Sequence, residues 1–301
     1  MRVRAARSGR ALSARHVGLL AALAAIWGGS YLLIKLGLED LEPGVVVWAR
    51  CALAAGVLLA VLGVARGGAD ARAALADMRA RPGHAALLGG LTVAAPFLLI
   101  SFGELAVPSG LTAVLIAPAS LFVALFAPAI DPSERVRPRA AAGMALGLAG
   151  VALLVGVENV DSADELLGSL AILGSAACYA LGSFVVKRLY GGLPAAATSF
   201  VSMAATTVLV LPLAVATAPG PLPGLKAVAA IAALGVVGTA LAFVIYFALI
   251  AEVGAGRAAL VSYLAPGVAL FYGAAFYDEP ITAAAVGGLA LILGGVAIAS
   301  R

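Results

Sequence analysis

Arg50 stands inside an otherwise apolar stretch of a chain that is poor in charge, and Lys35 and Glu104 are further ionisable groups within or at the edge of such stretches. A charged side chain at a membrane helix centre costs about 2.5–3.5 kcal/mol on insertion scales, which makes each of the three a functional candidate. Arg50 lies seven residues past Pro43, about 10 Å along a helix that rises 1.5 Å per residue. Three roles fit that depth: an ion pair with Glu104, recognition of a substrate carboxylate, or snorkelling to the interface. Glu104 is either a carboxylate coupled to protons or a hydrated acid at the membrane edge. Lys35 is an anchor or a ligand.

Aromatic and hydroxyl side chains form a second group. Trp27, Ser30 and Tyr31 share one face of a predicted helix, and Tyr179 and Ser183, with Ser175, share one face of another. Lipid gains nothing from these hydroxyls, so they line an interior cavity or bond helix to helix. Pro96, Pro118 and Pro266 fall in mid-stretch, where proline removes a backbone hydrogen bond and bends the helix. In a membrane the freed carbonyl is tolerated where protein or a polar cavity meets it. These kinks either curve three helices around a central space, with Tyr263 and Tyr272 near it, or serve packing alone.

Other chemistries are poorly supplied. Cys51 and Cys178 are the only cysteines and each sits in an apolar run, so no disulfide framework or thiolate metal cage can form. His16 and His84, the only histidines, lie beside arginines at predicted membrane edges. No G-x-S-x-G, H-E-x-x-H or G-x-x-x-x-G-K-[ST] motif occurs, which argues against an intramembrane enzyme and against nucleotide hydrolysis. No cofactor or metal is expected.

The elements that must position these groups follow from composition. Of 301 residues 63% are hydrophobic and 11% charged, against about 25% charged in a soluble domain, which excludes a water-soluble globule. A span needs about 20 mostly apolar residues, and the runs predict ten helices near 17–38, 43–65, 83–104, 107–130, 139–157, 166–190, 194–217, 225–250, 254–277 and 281–300. The first run is longer than a signal-peptide core and is expected to remain as a span. With the N-terminus inside, sixteen of nineteen basic residues fall on the cytoplasmic side, Lys226 and ten acids fall outside, and Lys35 and Arg50 lie within spans. An even number of crossings with both termini cytoplasmic is therefore expected. The net charge of +4 reads as this topology signal rather than as a nucleic-acid surface.

A longer period is also present. Ala117-Pro118 answers Ala265-Pro266, and, after a gap of three residues, Glu134 answers Glu279, Gly143 answers Gly288 and Gly150 answers Gly295. Trp27, Tyr31 and Lys35 fall opposite Tyr179, Ser183 and Lys187. Each half then holds five crossings, an odd number, so the second half is inverted, and a site at their interface can be offered to either side in turn. The expected fold class is an all-α polytopic membrane protein of ten transmembrane helices in two inverted five-helix repeats. Its parts are a basic cytoplasmic tail (1–16), a first repeat (17–157), an acidic outer linker (158–165) and a second repeat (166–301). Gly143 and Gly147, with Gly287-Gly288 and Gly294-Gly295, mark the fifth and tenth spans as packing helices.

Several segments resemble the EamA-type transporters of the drug/metabolite transporter superfamily. Trp27-Gly28-Gly29-Ser30-Tyr31, then Lys35-Leu36-Gly37-Leu38, Pro43 and Arg50, is similar to that family's opening pattern. Glu104 to Leu111 with Pro118 and Glu134 resembles its third-to-fourth-span junction, and Glu279-Pro280-Ile281-Thr282 with the following glycine pairs resembles its ending. Two departures stand out: Asp131-Pro132-Ser133-Glu134 replaces a shorter Gly-Glu turn, and the seventh span has Val201 or Ser202 where a match to Arg50 would fall. The resemblance implies an inner-membrane carrier that exports amino acids or related small metabolites. Its partners would be a small-molecule substrate and the lipid bilayer, as a monomer or weak homodimer. On this reading Trp27, Ser30, Tyr31, Arg50, Tyr179, Ser183, Tyr263 and Tyr272 line the cavity, while Glu104, Pro96, Pro118 and Pro266 serve gating or coupling. The alternative class is a structural or flippase-like membrane subunit.

Overall fold

The structure, a computed structural model, describes residues 13–130, 138–158, 162–218, 220, 222–253, 258 and 260–299. Most of the basic tail (1–12), Glu134 and the middle of the acidic linker (159–161) lie outside the described residues. Among the described residues the regular structure is all helical: α1 (Ala14–Leu38), α2 (Pro43–Val64), α3 (Ala69–Ala80), α4 (Pro82–Gly103), α5 (Ser109–Ile130), α6 (Pro138–Glu158), α7 (Ala163–Leu189), α8 (Ala195–Ala216), α9 (Leu225–Ala233, Leu234–Leu241 and Ala242–Val253), α10 (Val261–Tyr277) and α11 (Ala283–Ala299). Seven of these, α1, α2, α4, α5, α7, α8 and α9, are long and apolar enough to cross a membrane, and shorter apolar helices fall at 141–153, 261–277 and 283–298.

Local signals set the helix ends. Ser13 caps α1 in a reciprocal box with His16, Pro43 opens α2 at a position that needs no N–H, and Ser162 caps α7 by accepting from the Glu165 amide. The short α3, which the apolar runs do not announce, alternates Asp70, Arg72, Asp77 and Arg79 with the buried Ala71 and Ala74. It is a polar-faced connector, tied at its end by contact between Arg81 and Asp77.

Three helices are interrupted. In α4, Pro96 has no N–H to offer the Thr92 carbonyl, and the turn before it widens into a π-helix over Gly90–Ala94. In α5, the helix breaks at Ala117-Pro118 and restarts at Ala119. In α9 a π-helix runs over Leu234–Leu241 without any proline, and the Thr239 hydroxyl donates to the Leu234 carbonyl at 2.9 Å.

Packing joins helices from opposite ends of the chain. The most extensive contacts pair α6 with α11, α2 with α8, α1 with α10 and α4 with α7; α2 also packs on the π-helical part of α9, and α8 on α4. At the first of these seams the backbones touch. A Cβ added at Gly150 would lie 2.7 Å from the Gly288 carbonyl, and one at Gly295 would strike the backbone at Gly143 and Gly147. These glycine faces, which mark packing helices by sequence, are thus occupied by each other within the chain. Outward faces carry large exposed apolar side chains such as Val208, Val215, Phe271 and Phe276, the pattern lipid requires and water does not.

Candidate functional site

A cavity of about 460 Å³ lies between the helices, within the span of roughly 300–1,000 Å³ usual for small-molecule sites. The first half contributes Trp27, Ser30 and Tyr31 from α1, Arg50 from α2, Phe97 from α4 and the Ala117 break of α5. The second half contributes Tyr179 from α7, Gly238, Phe243 and Tyr246 from α9, and Ser262, Tyr263 and Pro266 from α10. The interruptions of α4, α5 and α9 all fall along this wall, so the cavity exists where the helices cannot run straight.

Its wall is aromatic. The Trp27 ring stands 5.3 Å from Tyr246 and 6.2 Å, edge-on, from Phe243. Gly28, next to it, lets α1 approach α10, since a Cβ there would lie 2.9 Å from the Val268 side chain and 3.0 Å from the Ala265 carbonyl. The glycine after the tryptophan therefore sets how close the two cavity walls come.

Arg50 is the charged group on the wall and is 5% exposed. Its Nη2 donates to the Thr239 hydroxyl at 3.1 Å, and its Cζ sits 3.9 Å from the centre of the Phe97 ring, a cation–π contact. Among the described residues its Nε has no hydrogen-bond partner. The phenols of Tyr31 and Tyr179 lie within electrostatic reach of it.

Of the three roles open to Arg50, a direct ion pair with Glu104 is not formed, and these contacts stand in its place. Glu104, at the end of α4, is 1% exposed and off the cavity wall, and among the described residues neither carboxylate oxygen is hydrogen-bonded. The charges acting on it are, strongest first, Lys35, Glu279 and Arg50. It is a buried group, not the hydrated edge acid that its sequence position allows. Lys35, a free anchor or ligand by sequence, donates to the Val107 carbonyl at 3.2 Å and lies 3.7 Å from Glu279.

Other candidates fall elsewhere. Ser183 is on an exposed face of α7 and donates to the Ala180 carbonyl, because i, i+4, i+8 spacing drifts around a helix and, of the three, only the middle member, Tyr179, meets the wall. Tyr272 lines a separate shallow groove with Phe276, Leu33 and Val237, one face away from the cavity. Pro96 is buried just behind Phe97, and Pro118 is buried beside the wall residues Ala117 and Ala119. Ser175 is buried on Ile172 and does not reach the cavity. Residue types alone did not single out Phe97, Phe243, Tyr246 and Thr239. In the register that sets Ala117-Pro118 against Ala265-Pro266, Phe97 falls opposite Ile245 and Phe243 opposite Ala95, so the repeat carried no signal for either ring.

The site is bounded at one end by a cluster from both halves. Glu279 accepts from the Ser109 amide at 2.7 Å, the Ser109 hydroxyl at 3.0 Å and the Gly110 amide at 2.9 Å, and so caps α5 from the turn after α10. Beside it Lys226 meets Glu39 at 2.8 Å, Tyr277 also contacts Glu39, and the Gly224 amide donates to Asp40 at 2.8 Å. The Lys226 and Tyr277 hydrogen bonds hold the Glu39 carboxyl below its ordinary range. At the opposite end Arg15 and His16 meet Glu252 in a more exposed setting.

Comparison with known proteins follows this architecture. The EamA-like transporter family matches residues 16–156 and, a second time, residues 166–301. The chain belongs to the EamA-like transporter family. Within it, the "Uncharacterized inner membrane transporter YedA" of Escherichia coli K12 is 30% identical over 88% of this chain and 84% of its own length. The "Probable terminal-alkyne amino-acid exporter" of Streptantibioticus cattleyicolor is 28% identical over 91% and 90%. The "Probable amino-acid metabolite efflux pump" of Escherichia coli K12 is 26% identical over 94% of each chain. A solved structure titled "Crystal structure of protein" shares the fold, with a TM-score of 0.65 at 21% identity over 96% of this chain and 97% of that one. This EamA-family chain is thus a polytopic membrane protein of a transporter family.

Proposed function

We propose that this protein is a secondary transporter that exports amino acids or related small metabolites across the cytoplasmic membrane by alternating access. Ten spans in two inverted five-helix repeats, with both termini cytoplasmic, give it the required symmetry. The observation that carries the reading is a metabolite-sized cavity whose wall is shared between the two halves and whose acid-rich end is closed by contacts between them. The helix pairings support it, because α6 with α11 and α2 with α8 join the fifth span to the tenth and the second to the seventh. The tandem family matches and the exporter names of two relatives agree in direction. Amino-acid export is said of those relatives and is carried here as part of the proposal.

The test is counterflow in proteoliposomes. Purified protein is reconstituted in vesicles preloaded with pooled unlabelled amino acids and organic acids, and entry of each labelled member is followed. Accumulation above protein-free vesicles for at least one member is expected. Correctly inserted, monodisperse protein that exchanges none of them would overturn the carrier reading.

A further inference from the structure

The wall of the cavity is electrically lopsided. Arg50 supplies a positive charge, and no aspartate or glutamate is among the described residues that line it. A guanidinium has five N–H donors in a fixed fork. Thr239 takes one of them, and Nε is without a partner among the described residues. A buried cation with unspent donors beside a cavity is stabilised by an anion placed there, and a planar carboxylate matches the fork. The phenol hydroxyls of Tyr31 and Tyr179 are further donors on the same wall, within electrostatic reach of Arg50.

The opposite charge finds no such reception. Glu104 is off the wall and under the stronger influence of Lys35. An ammonium in the cavity would have ring faces and neutral oxygens for company, and its desolvation would be offset only by cation–π contact. The rest of the wall, led by Trp27, Phe97, Phe243 and Tyr246, suits an aromatic or branched apolar body.

We infer that the cavity takes an organic carboxylate with an aromatic or branched apolar body, that Arg50 holds the carboxylate, and that an amino group on the ligand is dispensable. This rests on the transport reading above and narrows it from amino acids in general to carboxylates with or without an amine. Amino acids bind through one of their two charges.

The test compares three ligands with the same ring: 3-phenylpropionate, which has the acid alone; phenylalanine, which has acid and amine; and phenylalaninamide, which has the amine alone. Binding to the purified full-length protein is read by emission of Trp27 in a Trp48→Phe background and by calorimetry on the unaltered chain. The expected result is that 3-phenylpropionate binds at least as tightly as phenylalanine and that phenylalaninamide binds about tenfold or more weakly. Arg50→Gln lowers acid affinity about tenfold or more; Arg50→Lys restores part of it, and Tyr31→Phe gives a smaller loss. Because the ligand series is read on the native chain, it stands even if Arg50→Gln does not fold. Phenylalaninamide binding as tightly as the acids, or acids that fail to bind at millimolar concentration, would overturn the inference. If that failure occurs in a preparation that exchanges another metabolite, the carrier reading stands and only the substrate class falls. Acid binding in a preparation that exchanges nothing supports the site and removes the carrier reading.

Discussion

Replacing Glu279 should loosen the acid-rich end more than any surface substitution nearby. Asp278, in the left-handed region at φ 51°, ends α10 and turns the chain so that Glu279 reaches the first turn of α5. Its carboxylate, 10% exposed, accepts the Ser109 amide, the Ser109 hydroxyl and the Gly110 amide, and lies 3.7 Å from Lys35. Glu279→Ala, like Glu279→Gln, removes the charge facing Lys35, whose side chain is 24% exposed, and in addition leaves two helix N-terminal amides without an acceptor at about 1–3 kcal/mol each. Glu279→Gln keeps the volume and one acceptor oxygen but loses the charge on the helix terminus, a term of up to about 2 kcal/mol when partly buried. The Ala variant should therefore lose about twice as much stability as the Gln variant. Lys35→Met should cost less in the Gln background than in the native one, with a coupling of about 1 kcal/mol. Part of its cost persists in both, because the Val107 carbonyl remains its second partner. The assay is thermal and denaturant unfolding in one detergent, followed by far-ultraviolet circular dichroism. Ala and Gln variants that both stay within about 0.5 kcal/mol of the native protein, the ordinary range of surface substitutions, would refute the reasoning.

Three further outcomes are expected. Gly150→Val and Gly295→Val should each cost about 1–3 kcal/mol or more by overpacking the α6–α11 seam, whereas Gly287→Ala, whose Cβ would meet Leu153 at an ordinary 3.6 Å, should be neutral; equal thermal midpoints for all three would contradict the close approach. Glu39 has a depressed folded-state carboxyl, so its contribution is present above the unfolded value of about 4.3 and is lost as pH falls through the lower folded value; Lys226→Met should flatten the acid limb of the stability–pH curve, and an unchanged limb would count against the pair. With Cys51 and Cys178 replaced by alanine, Ser262→Cys, on an exposed part of the cavity wall, should react rapidly with a polar maleimide, while Ser101→Cys, 1% exposed, should react only after unfolding. Similar rates at both positions would contradict an acid-rich end that is closed.

The helices were legible because bilayer length and the punctuation of apolar runs by charge, proline and glycine act along the chain. The predicted 17–38, 43–65 and 225–250 meet α1, α2 and α9 to within a few residues. The amphipathic α3 escaped because its periodicity is short and polar. Residue type picked out Arg50, Trp27 and Tyr31, which the structure places on the cavity wall, since charge and aromatic clusters in apolar runs are rare. It left the partner of Arg50 open. Glu104 looked like the natural mate of Arg50 by sign alone, but Thr239 reaches the guanidinium because a π-helical turn in α9 swings it inward. No local signal marks that turn, which lacks proline and is stabilised by the threonine hydroxyl itself. Ser183 and Tyr272 failed for a different reason: helical spacing assigns a face, and which face meets the cavity is decided by neighbours far along the chain.

Glu104 and Glu252 make the same point about conformation. Each precedes an Ala-Pro pair by the same interval, Glu104 before Ala117-Pro118 and Glu252 before Ala265-Pro266, so a duplication would give them equivalent places at opposite ends. Their surroundings are unequal. Glu104 is 1% exposed, without a hydrogen bond to either oxygen among the described residues, whereas the Glu252 side chain is 36% exposed and held by Arg15 and His16. If the halves rock about the shared cavity, the two carboxylates exchange environments, and the exchange is not symmetric in energy. Closing the basic end would bury a carboxylate already hydrogen-bonded to Arg15 and His16, while closing the acid-rich end buries one with no hydrogen bond to either oxygen among the described residues. Desolvating a carboxylate without hydrogen bonds is the costlier step. Lys35 is then what offsets that cost, acting against the like charge of Glu279, which lies 3.7 Å from it.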